Sequence, residues 1–231
     1  PYSRQEIKEI LFTMVKSMGL KDAFFWCAVT RGLKRKAKSG ELQRFNDVNE
    51  YDNQFYAFAT HYKSMCTDEQ RQHGIDVMVS QRYKKIPSAC VDATAKNFHH
   101  LDMQLANVEA REKGFYWSIL TNMEGNLAEP LGSNIFVVKD GVVYTPDADC
   151  LEGITRKTVI ELCEVEGIPV QVTKVPVETL LTADEAFLTS TGGGVMPINN
   201  VDGNVLGGVD GPGTLTTKLH NLYWEKRLTG W

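Results

Sequence analysis

The stretch LAEPLGSNIFVVKDGVVYTP, Leu127 to Pro146, decides how this chain is read. Asp140-Gly141 stands between two apolar runs, Asn134 to Lys139 and Val142 to Thr145, and an Asp-Gly pair in that setting is a strong hairpin signal. Downstream, a helix is expected from Thr155 to Glu166, ended by Gly167, then a strand from Val170 to Val175 and a short helix near Val177 to Leu181. A strand from Ala186 to Ser190 runs into Gly192-Gly193-Gly194, a second hairpin turns at Asp202-Gly203, and an amphipathic helix closes the chain from Pro212 to Leu228. Pro212 suits a first helical turn.

Upstream, a turn at Asn122 to Asn126 follows a strand from Phe115 to Thr121. Before that come a helix from about Asn97 to Lys113, stopped by Gly114, and a connector from Tyr83 to Thr94 that contains Pro87. Ile75 to Ser80, Gln54 to Thr60 and Ala23 to Thr30 read as strands, and residues 32–53 as one long polar loop. At the start, Ser3 and Glu6 have the spacing of a capping box. Ile7, Ile10, Leu11, Met14, Val15 and Met18 then recur at helical spacing, with Gly19 as the stop. The polar stretch from His61 to Gly74 marks a boundary between a small part, residues 1–65, and a larger one, residues 66–231. The mixture is α+β.

Composition excludes several classes. With 25 basic and 29 acidic residues the formal charge is −4, so nucleic acid and anionic membranes are not expected as partners. The one basic cluster, Lys34-Arg35-Lys36 with Lys38, reads as a solvated loop. Cys27, Cys66, Cys90, Cys150 and Cys163 are scattered and form no CxxC pair, which suggests neither a disulfide framework nor a metal site and fits a reducing, cytoplasmic compartment. No apolar stretch is long enough to span a membrane.

Four short features could carry chemistry. In ATAKNFHHLD, Lys96 sits at the start of the expected helix, where the helix field would lower its pKa and favour a nucleophilic amine. In NLAEPLGSNIFVV, Glu129 lies in a loop between two apolar strands, placed to meet a protonated ring nitrogen. In LEGITRKTVIEL, Gly153 leads into a helix whose free N–H groups, with Thr155, make a phosphate cup. In FLTSTGGGVMPI, a strand ending in hydroxyl residues runs into glycines that let backbone approach a ligand. Each also has a plain structural reading. These are a surface lysine at a loop end, a solvated turn carboxylate, simple capping by Thr155, and a tight turn.

Taken together and in order, VTRGL (Val29 to Leu33), KNFHHLD (Lys96 to Asp102), Leu127 to Pro146, LEGITRKTVIEL (Leu151 to Leu162) and TSTGGGVMPI (Thr189 to Ile198) resemble the fold-type IV pyridoxal-phosphate (PLP) enzymes. That group holds branched-chain and D-amino-acid aminotransferases, aminodeoxychorismate lyases and (R)-selective amine transaminases; VTRGL and TGGGVMPI look most like the last. The resemblance implies a two-domain α+β fold, with a small amino-terminal domain, here incomplete, and a larger pseudo-barrel domain. It implies a homodimer that moves an amino group between an amine or amino acid and a keto acid or ketone. Lys96 would carry PLP as a Schiff base, Glu129 would face the pyridine nitrogen, and Ile154, Thr155 and Thr191 would bind its phosphate. Arg31, His100 and Gly192 would meet substrate, although His100 stands where the amine transaminases typically carry tryptophan. A lyase on the same scaffold and an inactive fragment are the alternatives.

Overall fold

The structure, a computed structural model, describes residues 2–34, 51–208 and 211–230. The chain divides into two compact units, one ending at Lys63 and the other beginning at Ser64. In the first, helix α1 (Arg4–Met18) opens on the expected capping box. The Ser3 hydroxyl accepts the Glu6 N–H, and the Glu6 carboxylate accepts the Ser3 N–H at 2.7 Å. Gly19 closes the helix at φ 62°, a left-handed conformation that glycine adopts without a Cβ clash. Strands β1 (Ala23–Lys34) and β2 (Tyr51–His61) pair antiparallel. Both are longer than expected, because ladder pairing continues through polar residues once Leu33 and Lys34 face Asp52 and Tyr51. The reading of 32–53 as one loop therefore fails at both ends. Residues 35–50, with most of the basic cluster, lie outside the described residues.

The second unit begins with helix α2 (Asp68–His73), which the sequence reading missed. It has no buried residue and hence no apolar stripe, but Thr67 and Gln70 form a capping box that announces it. Then follow β3 (Ile75–Lys84), α3 (Leu101–Glu112), β4 (Trp117–Thr121), β5 (Leu127–Pro130), β6 (Asn134–Lys139), β7 (Val142–Pro146), α4 (Ile154–Val165), β8 (Val170–Thr173), α5 (Val177–Leu181), β9 (Glu185–Ser190), β10 (Gly194–Val201), β11 (Asn204–Val205) and α6 (Thr214–Thr229). The strands form one sheet in the order β5-β4-β3-β10-β9-β6-β7-β8, with β11 beside β10. The sheet curls until its ends meet: the Leu127 N–H of β5 donates to Val175 O, just past β8, at 2.8 Å. The α+β class with a barrel-like larger part is as expected.

The hairpin that opened the reading is present. Asp140 and Gly141 take φ 51° and 75°, and Val138 pairs with Val143 across the turn. Side chains alternate along β6. Ile135 and Val137 join Ile119, Leu188 and Met196 in one buried cluster. Phe136 and Val138 turn the other way, to Val159 of α4 and Leu219 of α6. With both faces covered, the strand reads as the unbroken apolar run IFVV.

Four boundaries need correction. The connector expected from Tyr83 begins later, because β3 runs to Lys84. Helix α3 starts at Leu101, not Asn97. Asn97 instead donates its side-chain amide to Ala95 O and accepts the His99 N–H, a local arrangement that competes with helix. Glu129 lies on a strand, β5, and not in a loop. Pro212 precedes α6, whose N-cap is Gly213. All five cysteines are free thiols, three of them buried. Among the described residues no helix is long and apolar enough to cross a membrane and no group of side chains suits a metal ion.

Candidate active site

One cavity of about 450 Å³ in the second unit gathers most of the residues singled out from the sequence: Lys96, His100, Glu129, Ile154, Thr155 and Thr191 all line it. Gly192 is not part of the lining. Its carbonyl accepts the Met65 N–H at 2.9 Å, and a Cβ there would meet Met65 Sδ at 2.7 Å, so this glycine serves close packing. Arg31 is an exposed residue of β1, and the lining does not include it.

Lys96 reaches the cavity from the segment before α3. That helix starts only at Leu101, so Lys96 precedes it and, contrary to the sequence reading, does not open it. His100 is the N-cap residue of α3 and makes no side-chain capping bond. Burial, followed by the Lys96 and Lys85 charges, pulls the His100 pKa down, so the imidazole favours its neutral form.

Glu129 is buried on β5. Its Oε2 accepts the Leu151 N–H at 2.8 Å, while Oε1 has only Lys85 Nζ, at 3.8 Å. Burial pushes its carboxyl up to about 7, against the opposing pull of the Leu151 N–H and Lys85. A buried carboxyl with one oxygen open to the cavity is placed to take a cationic donor. Lys85 and its second partner Asp102, 3.7 Å away, were missed as site residues. The available signal was the pair Lys84-Lys85 at the end of a strand, directly before Ile86-Pro87.

Helix α4 brings its amino terminus, Gly153 to Thr155, to the same space. Its N-cap is Gly153, which offers no side chain, so the first N–H groups of the helix are available to a ligand. The helix is held in place from behind. Buried Arg156 donates to Pro146 O at 2.8 Å, and the Asn134 amide donates to Leu151 O at 2.7 Å. The glycine is required: a Cβ on residue 153 would collide with Asn134 Oδ1.

Three buried polar atoms of the lining, His100 Nδ1, Ser133 Oγ and Thr189 Oγ1, have no partner within the described chain. Buried polar atoms are seldom left unpaired, and the residues that carry these three border a volume that also holds a carboxyl and a bare helix amino terminus. The set suits a ligand with an anionic group at one end and a cationic ring donor at the other. PLP fits that description.

The amino-transferase class IV family matches residues 1–201 of the chain. A branched-chain-amino-acid aminotransferase of Pseudomonas aeruginosa is 31% identical over 227 residues, covering 97% of this chain and 71% of that protein. One from Escherichia coli K12 is 36% identical over 141 residues, 60% of this chain and 46% of that protein. Among solved structures, the branched-chain aminotransferase of Thermoproteus uzoniensis with norvaline gives a TM-score of 0.84 at 28% identity, covering 99% of this chain and 73% of that one. The branched-chain amino acid aminotransferase of Thermobaculum terrenum in its PLP form gives 0.83 at 25% identity, covering 97% and 70%. These relatives agree with the fold-type IV reading. They add nothing for the closer likeness to (R)-selective amine transaminases, and being aminotransferases they do not favour the lyase alternative.

Proposed function

The chain belongs to the amino-transferase class IV family and is by that membership a PLP-dependent aminotransferase; we propose that the cavity around Lys96 and Glu129 is its active site, built within residues 66–231. The observation that carries this is the convergence, on one volume, of a lysine amine, a buried carboxyl and an uncapped helix amino terminus. When bound, PLP supplies an electron sink for the pair left behind as the substrate C–H bond breaks. Lys96 Nζ is the group that would hold the cofactor and then carry the proton. Glu129 Oε1 would hold the proton of the ring nitrogen. The Ile154 and Thr155 N–H groups, with the Thr191 hydroxyl, would bind phosphate oxygens. His100, beside Lys96, would border the substrate. For Arg31, the role of meeting a substrate carboxylate rests on the family resemblance alone.

The substrates we propose are an amino acid with an apolar side chain and the matching keto acid. In support, the relatives above are named for branched-chain amino acids, and Val91, Ala93, Met103, Leu131 and Leu151 line the cavity. The partner we propose is a second copy of the chain. Leu101, Leu105 and Val108 of α3 are exposed at helical spacing, which makes an apolar stripe along that helix. Five free thiols support a reducing, cytoplasmic setting.

The test is borohydride reduction of the chain with PLP, followed by peptide mass mapping. The expected result is a pyridoxyl adduct on Lys96 that Lys96→Ala abolishes. An adduct on Lys85, the second lysine of the lining, or none at all, would remove Lys96 from the role.

A further inference from the structure

Glu129 does not stand alone at its end of the cavity. Lys85 follows β3 directly and is 6% exposed. Its N–H donates to Thr121 O at 2.9 Å, which fixes the residue. Its ammonium lies 3.7 Å from Asp102 Oδ2 and 3.8 Å from Glu129 Oε1, so one buried cation is shared between two buried carboxyl groups.

The two carboxyls are not equally supported. Asp102 Oδ2 accepts the Ile86 N–H at 2.8 Å and Oδ1 accepts the Met103 N–H at 2.8 Å. Asp102 also sits in the first turn of α3, where the helix field favours an anion. Glu129 has one backbone donor, from Leu151. With both carboxyls ionised, this buried group carries a net charge of one, which burial penalises. The less supported member gives way, and that is Glu129.

We infer that Lys85 and Asp102 are a positioning pair that sets how firmly Glu129 holds its negative charge, Lys85 strengthening it and Asp102 weakening it by competing for Lys85. The other titratable groups that bear on Glu129 are Lys96 and Cys150. Lys96 lies on the segment before α3, and Cys150 on the loop between β7 and α4. In the reading proposed above, on which the relevance to cofactor rests, a protonated ring nitrogen at Glu129 Oε1 brings the second cation that balances the cluster. Glu129 is then poised: its burial favours the neutral acid in the empty cavity, and an arriving cation favours the anion.

The pair makes a prediction of sign that loosened packing does not share. The chain, free of PLP and labelled with carbon-13 at the glutamate carboxyl, is titrated by NMR, with the Glu129 signal assigned by its loss in Glu129→Gln. Lys85→Met is expected to raise the Glu129 pKa by about 1–3 pH units, the range an opposite charge at this distance produces. Asp102→Asn is expected to lower it, and Lys85→Arg to stay near wild type. No shift, or shifts of the same sign in Lys85→Met and Asp102→Asn, would overturn the inference. Should Lys85→Met fail to fold, Asp102→Asn decides alone: a fall supports the pair, and no change or a rise refutes it. PLP affinity against pH, wild type compared with Glu129→Gln, tests the active-site reading separately. Opposite shifts combined with unchanged PLP binding in Glu129→Gln would sink that reading and leave the pair standing.

Discussion

Glu129→Gln should stabilise the cofactor-free chain at high pH while removing the carboxyl proposed to meet the cofactor ring. In the folded chain the Glu129 carboxyl is pushed from its ordinary value of 4.5 to about 7, chiefly by burial. Below pH 4.5 the group is neutral whether the chain is folded or not, and its burial is favourable. As pH rises to about 7 the unfolded chain releases the proton while the folded chain retains it, so stability falls through that window and levels off above it. The gap of about 2.5 pH units, at 1.36 kcal/mol each, corresponds to about 3 kcal/mol. Glutamine has nearly the same shape, still accepts the Leu151 N–H, and does not titrate. Urea unfolding followed by the fluorescence of buried Trp117 on β4, at a series of pH values from 4 to 8, measures the difference. Variant and wild type should converge near pH 4 and separate steadily until the variant leads by a few kcal/mol at pH 8. A difference that stays constant across the series would refute the reasoning, since titrating groups that do not bear on Glu129 cancel in the comparison.

Two further outcomes follow from the packing. Gly153→Ala forces a Cβ against Asn134 Oδ1 and shifts the α4 amino terminus, so affinity for PLP should fall about tenfold, roughly the value of one hydrogen bond to a charged group, with little change in the urea midpoint. Phe136→Ala removes a fully buried ring stacked on Phe187 at 4.9 Å; the expected loss is about 3–5 kcal/mol, read as a lower urea midpoint for the second unit.

The elements that were legible in the sequence are those with a strong local cause. The Ser3 capping box, the Asp140-Gly141 turn and the run IFVV each state their structure within a few residues. Glu129, Ile154 and Thr155 were singled out through the family resemblance more than through local pattern, and the structure lines one cavity with all three. What escaped was decided over distance. Short α2 buries nothing, so periodicity could not show it. The start of α3 was misplaced because Asn97 satisfies backbone groups with its own amide, which composition does not reveal. Lys85 and Asp102 are 17 residues apart, and nothing in the sequence pairs them. Only the packing of β3, α3 and β5 brings that lysine, that aspartate and Glu129 together. Ser133 and Thr189 were passed over because a lone hydroxyl in a strand-rich stretch is ordinary; being buried without a partner is what distinguishes them.

The grip on Leu151 has a consequence for how this protein can change. Glu129 holds its N–H and Asn134 its carbonyl, and both touch main-chain atoms only. The path of that loop is thus encoded elsewhere, in β5 and β6, while its own side chain, which lines the cavity, is free of any duty in maintaining that path. Position 151 can be redrawn by mutation, in size or polarity, while the loop keeps its course. The wall of the cavity and the course of the loop are therefore set by different residues at this point.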